Sequence, residues 1–146
     1  MKAQDRKALK AFANRQAAGR ALAGELTKRP LVAPVVLALP RGGVPVAVEI
    51  AKALQAPLDL VLVRKIGVPF QPELAAAAVV DGGEPEIVIN EDVISLAGVD
   101  RDYIDSQAKR ELAEIERRRR AYLGDRPRVP VEGRTLIVVD DGIATG

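Results

Sequence analysis

Two adjacent carboxylates, Asp140 and Asp141, follow directly on the aliphatic run at 135–139 and lead into Gly142-Ile143-Ala144-Thr145-Gly146. Burying such a pair without partners is costly, whereas at a strand end both can face a cleft and accept hydrogen bonds from ligand hydroxyls. The glycines and Thr145 offer open backbone amides and a hydroxyl, the makings of a concave nest for a phosphate group. Carboxylates for hydroxyls beside amides for phosphate describe a grip for a sugar phosphate. Taken alone, Asp-Asp-Gly reads equally as a solvated turn. Pro40-Arg41-Gly42-Gly43 is a second candidate. Its glycines permit close backbone approach, a helix start just beyond favours anions, and Arg41 adds a fixed positive charge. By itself it is a tight strand-to-helix turn. Arg64 and Lys65 close another apolar run, where the plain reading is an ordinary solvated strand end.

These three loops share a position, and the elements around them explain it. Asp5 can cap a first helix reaching about Thr27, with Leu9, Phe12, Gly19, Leu22, Ala23 and Leu26 spaced three or four apart on one face. Residues 35–39 form a short continuous apolar run, as in a buried parallel strand. Pro45 suits the first turn of a helix continuing to about Leu54. A second strand is expected over 58–63, and 64–72 looks too polar and too broken by Gly67, Pro69 and Pro72 to be regular. Residues 76–80 and 86–89 flank Asp81-Gly82-Gly83-Glu84-Pro85 and read as a hairpin. Asn90 caps a brief helix to Ala97. Asp100 caps a long one through about Tyr122, stopped by Gly124, with Ile104, Ala108, Leu112, Ile115 and Tyr122 on its buried stripe. A third strand covers 135–139. The alternation predicts an α/β fold: an open parallel sheet with flanking helices and an inserted antiparallel hairpin, in one domain over 1–146. Ligands in such sheets sit at the carboxyl ends of the strands, where all three loops emerge.

Composition narrows the chemistry. The 146 residues include no Cys and no His, which removes disulfides, thiolate nucleophiles, the commonest general base and the commonest metal ligand. Carboxylates, Arg, Lys, hydroxyls and backbone amides must do the work. A formal charge of +2 with both signs interspersed gives no nucleic-acid surface. The four arginines at 117–120 read as a solvated helix face, since Glu114 and Glu116 stand four residues before Arg118 and Arg120. No apolar run is long enough to span a membrane, and the N-terminus lacks the apolar core of a signal peptide, so a cytoplasmic protein is expected.

The stretch from Leu136 to Gly146, with its Asp-Asp-Gly-Ile-Ala-Thr-Gly loop, resembles the phosphoribosyl pyrophosphate (PRPP) signature of type I phosphoribosyltransferases. The resemblance implies that Asp140 and Asp141 hold the ribose hydroxyls while Gly142, Ile143, Ala144, Thr145 and Gly146 begin the 5′-phosphate cradle. Pro40, Arg41, Gly42 and Gly43 resemble the family's pyrophosphate loop. Arg64 and Lys65 resemble the pair that opens its mobile second loop. Residues 67–75 look like the lid of a bacterial group of unassigned substrate, with Phe70 where that group usually has glycine. The likeness extends to the Phe12-x-x-Arg15-x-x-Ala18-Gly19-x-x-Leu22 pattern, where Gly19 would allow close helix packing and Arg15 reads as a snorkelling stem. It implies transfer of a phosphoribosyl group from PRPP to a nitrogen nucleophile, with Mg2+ held mainly by PRPP and water. The catalytic residues would be Arg41, Arg64, Lys65, Asp140 and Asp141.

Members acting on 6-oxopurines carry an aspartate where this chain has Ala144, which disfavours hypoxanthine and guanine and leaves the acceptor base open. The family normally continues beyond Gly146 through the phosphate loop, a helix and further strands. A core lacking its C-terminal part, an uncovered sheet edge and weak PRPP binding by the 146 residues alone are therefore expected. A PRPP-binding regulator without turnover and an inactive fragment are the alternatives. A homo-oligomer is left open.

Overall fold

The structure, a computed structural model, describes residues 11–82 and 84–142. The elements run α1 (Arg15–Leu26), β1 (Val35–Ala38), α2 (Gly43–Leu54), β2 (Leu58–Leu60), β3 (Val63–Val68), β4 (Gln71–Val80), β5 (Glu86–Ile89), α3 (Glu91–Ala97), α4 (Arg101–Leu123) and β6 (Leu136–Val139). A parallel sheet has the order β2-β1-β6, and an antiparallel sheet the order β3-β4-β5. The parallel neighbours expected near 35–39, 58–63 and 135–139 are present, as is the antiparallel pairing of 76–80 with 86–89.

The central strand β1 is buried at every position. Its Val36 and Ala38 join Ala23 of α1 and Val46, Ala47 and Ile50 of α2 on one face. Its Val35 and Leu37 pack with Val61 on the other. Alternation on a strand with both faces covered is the reason for its unbroken aliphatic sequence. Gly19 lets α1 lie against α2: a Cβ there would stand 2.6 Å from the Val46 carbonyl oxygen. A second core packs Leu62, Ile66, Ala77 and Val79 against Ile104, Ala108 and Ile115 of α4.

Six expectations are corrected. The first helix begins at Arg15 with Asn14 as its cap, the Asn14 side chain accepting from the Ala17 amide, so Phe12 lies outside it and is exposed. A cap at Asp5 lies outside the described residues. The stretch 64–72 is regular: β3 and β4 form a hairpin turning at Pro69 and Phe70, with register shifts either side of Gly67. Its alternation is hidden by the bulge at Gly67 and by Pro72, which sits near the strand start where it is tolerated. The inserted unit is thus a three-stranded sheet, and the second parallel strand ends at Leu60.

The arginine run is not uniformly solvated either. Arg119 is 6% exposed, donating to Asp59 Oδ1 at 2.6 Å and to the Leu60 carbonyl at 3.0 Å. Glu114 does pair with Arg118, and also with Arg117, but Glu116 pairs with Arg128. Tyr122, expected on the buried stripe of α4, is 43% exposed, and Arg119 takes that face in its place. No helix among the described residues is long and apolar enough to cross a membrane.

Candidate functional site

Parallel pairing of β1 with β6 sets Ala38 opposite Val139, so two loops leave the sheet side by side. The Leu39 amide donates to the Val139 carbonyl at 2.9 Å and extends the ladder past the strand end. The chain then turns through Pro40 and Arg41, joined by a cis peptide bond, and enters α2 at Gly43, whose amide donates to the Leu39 carbonyl at 3.0 Å. Gly43 packs against β6, and a Cβ on it would stand 2.5 Å from the Val139 carbonyl oxygen and 3.2 Å from Asp140 Cα. Gly42 lies against the Asp141 carboxylate, in the space a Cβ would need. Two runs about a hundred residues apart in sequence thereby form one edge.

The paired carboxylates differ in their partners. Asp140 Oδ1 accepts from the Asp141 amide at 2.8 Å. Asp141 Oδ2 accepts from Arg15 Nη2 at 2.8 Å and Nε at 3.3 Å. The Arg15 guanidinium, first of all, holds the Asp141 carboxyl below the ordinary range. A cleft of about 410 Å³ lies beside them, lined also by Phe12 and Val46, and a larger one of about 720 Å³ opens on the other side along Leu22, Ile137 and Val139.

Arg41 is exposed, and among the described residues no hydrogen bond or ion pair engages its guanidinium. Arg64 on β3 bonds Glu111 of α4 at 2.7 Å and borders, with Pro40 and Leu39, a small cavity. Lys65 is directed to the hairpin, its ammonium donating to the Glu73 carbonyl at 2.7 Å. The structure therefore brings Pro40, Gly42, Gly43, Asp140 and Asp141 together, sets Arg64 beside Pro40, and turns Lys65 to its neighbouring strand. Gly142 lies exposed at the rim of the larger cleft. Ile143, Ala144, Thr145 and Gly146 lie outside the described residues.

Arg15 was missed as a site residue. Its position at the edge of the helix face in the Phe12-x-x-Arg15 pattern is the available signal, but only the fold shows that this edge meets Asp141. Among the described residues no three or more His, Cys, Asp or Glu side chains converge to cage a metal ion.

No family model matches the chain. Two Mycobacterium tuberculosis proteins, from strains CDC 1551 and H37Rv, each named "Putative phosphoribosyl transferase", are 49% identical to it over 138 residues. The match covers 94% of this chain and 31% of each relative, so the chain spans about a third of their length. The crystal structure of TT1426 from Thermus thermophilus resembles it with a TM-score of 0.75 at 41% identity, over 90% of this chain and 61% of that one. Over nearly all its residues, then, the chain is a homologue of proteins named as phosphoribosyl transferases.

Proposed function

We propose that this chain is a PRPP-binding domain of the type I phosphoribosyltransferase kind, acting in transfer of a phosphoribosyl group to a nitrogen nucleophile. The observation that carries the reading is the single edge at which Gly42 and Gly43 meet Asp140 and Asp141. The homologues' names add support from outside the geometry. Asp140 and Asp141 accept the ribose hydroxyls. The start of α2 and the charge of Arg41 face pyrophosphate, and Arg64 adds charge from the neighbouring sheet. In the reaction the bond from ribose C1 to a pyrophosphate oxygen breaks and a bond from C1 to the acceptor nitrogen forms. The protein contributes orientation and charge at the leaving group.

Magnesium suits this site as a ligand of PRPP. It commonly keeps substrate phosphates and water, and among the described residues no cage of carboxylates is built to hold it alone. When bound it would offset charge on the departing pyrophosphate.

Calorimetry with PRPP and Mg2+, on these 146 residues and on a version extended beyond Gly146, tests the reading, paired with an assay of pyrophosphate release across a panel of nucleobases. Weak binding by the 146 residues, and saturable binding with base-dependent release by the extended version, are the expected results. Binding without release for any base would favour a PRPP-responsive regulator. No binding by the extended version would end the proposal.

A further inference from the structure

We infer that Arg15 is a positioning residue for the sugar site, fixing Asp141 so that its Oδ1 is presented to a ligand hydroxyl alongside Oδ2 of Asp140. The inference rests on the reading of the two aspartates as hydroxyl acceptors and adds the group that aims one of them. Both donors of Arg15, Nη2 at 2.8 Å and Nε at 3.3 Å, converge on the same oxygen, Asp141 Oδ2. Among the described residues no donor bonds Asp141 Oδ1. Asp140 is divided in the same way: Oδ1 takes the Asp141 amide at 2.8 Å, and Oδ2 takes no donor among the described residues. Each carboxylate thus commits one oxygen to an N–H of the protein, the two carboxyls lie within hydrogen-bond reach of each other, and the two remaining acceptor oxygens match the two donors of a vicinal diol.

The Asp141 carboxylate has a wall on each side. Gly42 presents a bare Cα where a Cβ would overlap it, and Arg15 closes the other side. Arg15 is itself placed by two local features. Asn14 caps α1 so that the helix starts at Arg15, and Gly19 seats that helix on α2. The Arg15 side chain is 57% exposed, and an ion pair so open contributes little to folding. Its effect is on orientation: a carboxylate already held in its binding rotamer loses less freedom when the ligand arrives.

A double-mutant cycle read by calorimetry with PRPP and Mg2+, in a version extended beyond Gly146, tests this, using Arg15→Gln, Asp141→Asn and the pair. Arg15→Gln is expected to weaken PRPP binding roughly tenfold, the effect of losing one hydrogen bond to a charged group. The pair should bind no more weakly than Asp141→Asn alone, because Arg15 acts through Asp141. Arg15→Lys should recover part of the loss, and the thermal midpoint should stay unchanged throughout. Unchanged affinity in Arg15→Gln, additive losses in the pair, or a lowered midpoint that accounts for the loss would each overturn the role given to Arg15. If the unsubstituted extended version binds no PRPP, the sugar-site reading falls, and this inference with it.

Discussion

Gly42 and Gly43 are neighbours in sequence, yet an added methyl would meet different obstacles at each. At Gly43 it meets backbone, the Val139 carbonyl and Asp140 Cα, which can move only if α2 and β6 separate. At Gly42 it meets the end of the Asp141 side chain, which can swing away. Gly43→Ala is therefore expected to lower stability by about 1–3 kcal/mol, as overpacking does. Gly42→Ala should fold nearly normally but displace Asp141 from Arg15, and urea unfolding of both variants separates the two outcomes. Equal losses would mean that the loop and β6 are less tightly joined than the structure shows. The Arg15–Asp141 pair has its own signature in pH. Asp141 titrates below the usual range in the folded chain, so its contribution is present above the unfolded-state value and is lost as pH falls through the folded one. A carbon-detected NMR titration should place the Asp141 midpoint lower in the wild type than in Arg15→Gln. At this scale the sequence was most legible for the loop residues. Asp140, Asp141, Gly42 and Gly43 are read from type and spacing because their chemistry is local to a turn. Arg15 was not, because its partner is 126 residues away.

Regular elements were legible where one period ran undisturbed. The aliphatic run of β1, the Asn90 cap of α3 and the Asp100-to-Gly124 span of α4 all appear close to where the pattern put them. The β3–β4 hairpin was not legible, because Gly67, Pro69 and Pro72 are the residues that ordinarily interrupt a strand. Here they are used at a bulge, a turn and a strand start. Gly67 is required by contact: a Cβ would collide with the Pro72 backbone. Tyr103 of α4 donates to the Gly67 carbonyl at 3.3 Å, so the bulge is also tied to the helix beneath. Gly67→Ala is expected to open the hairpin tip and speed amide hydrogen exchange in β3 and in the first half of β4, leaving exchange in β1 and β6 unchanged. Exchange that stayed at its wild-type rate in β3 would show that the tip absorbs the methyl. On α4, Glu114 is pulled down to about 2 by Arg117 first and Arg118 second. That pair of bonds should persist until the pH approaches this value.

At the scale of the whole molecule, two sheets with separate cores must act as one body for Arg64 to stay beside Pro40. The joint is polar. Arg119, on the helix that covers the antiparallel sheet, reaches Asp59 and the Leu60 carbonyl of the parallel sheet. Asp59 also accepts from the Val129 amide at 2.9 Å. Asp81, 1% exposed at the end of β4, accepts from the Leu62 amide at 2.6 Å and from Arg128 at 3.0 Å. No buried side-chain polar atom among the described residues lacks a partner, so this network satisfies every group it buries. A composition-level reading could not find it, since a run of four arginines reads as charge, and only the helical spacing, with Arg119 four residues after Ile115, singles out the third. Arg119→Met leaves Asp59 short of its cation inside the protein, while Asp81 keeps Arg128, a loss of about 3–5 kcal/mol where a buried pair is broken by removing one partner. Asp59→Asn in the same chain should return part of that, because the uncompensated charge goes with it. Urea unfolding followed by far-UV circular dichroism and by Tyr103 and Tyr122 fluorescence should give coincident single transitions for the wild type. In Arg119→Met the two probes should separate, with the tyrosine fluorescence of α4 lost first. Coincident curves in the variant, or a loss below about 1 kcal/mol, the level of an exposed pair, would show that the apolar contacts of Val35, Leu37 and Val61 with Val80 of β4 are enough to join the sheets.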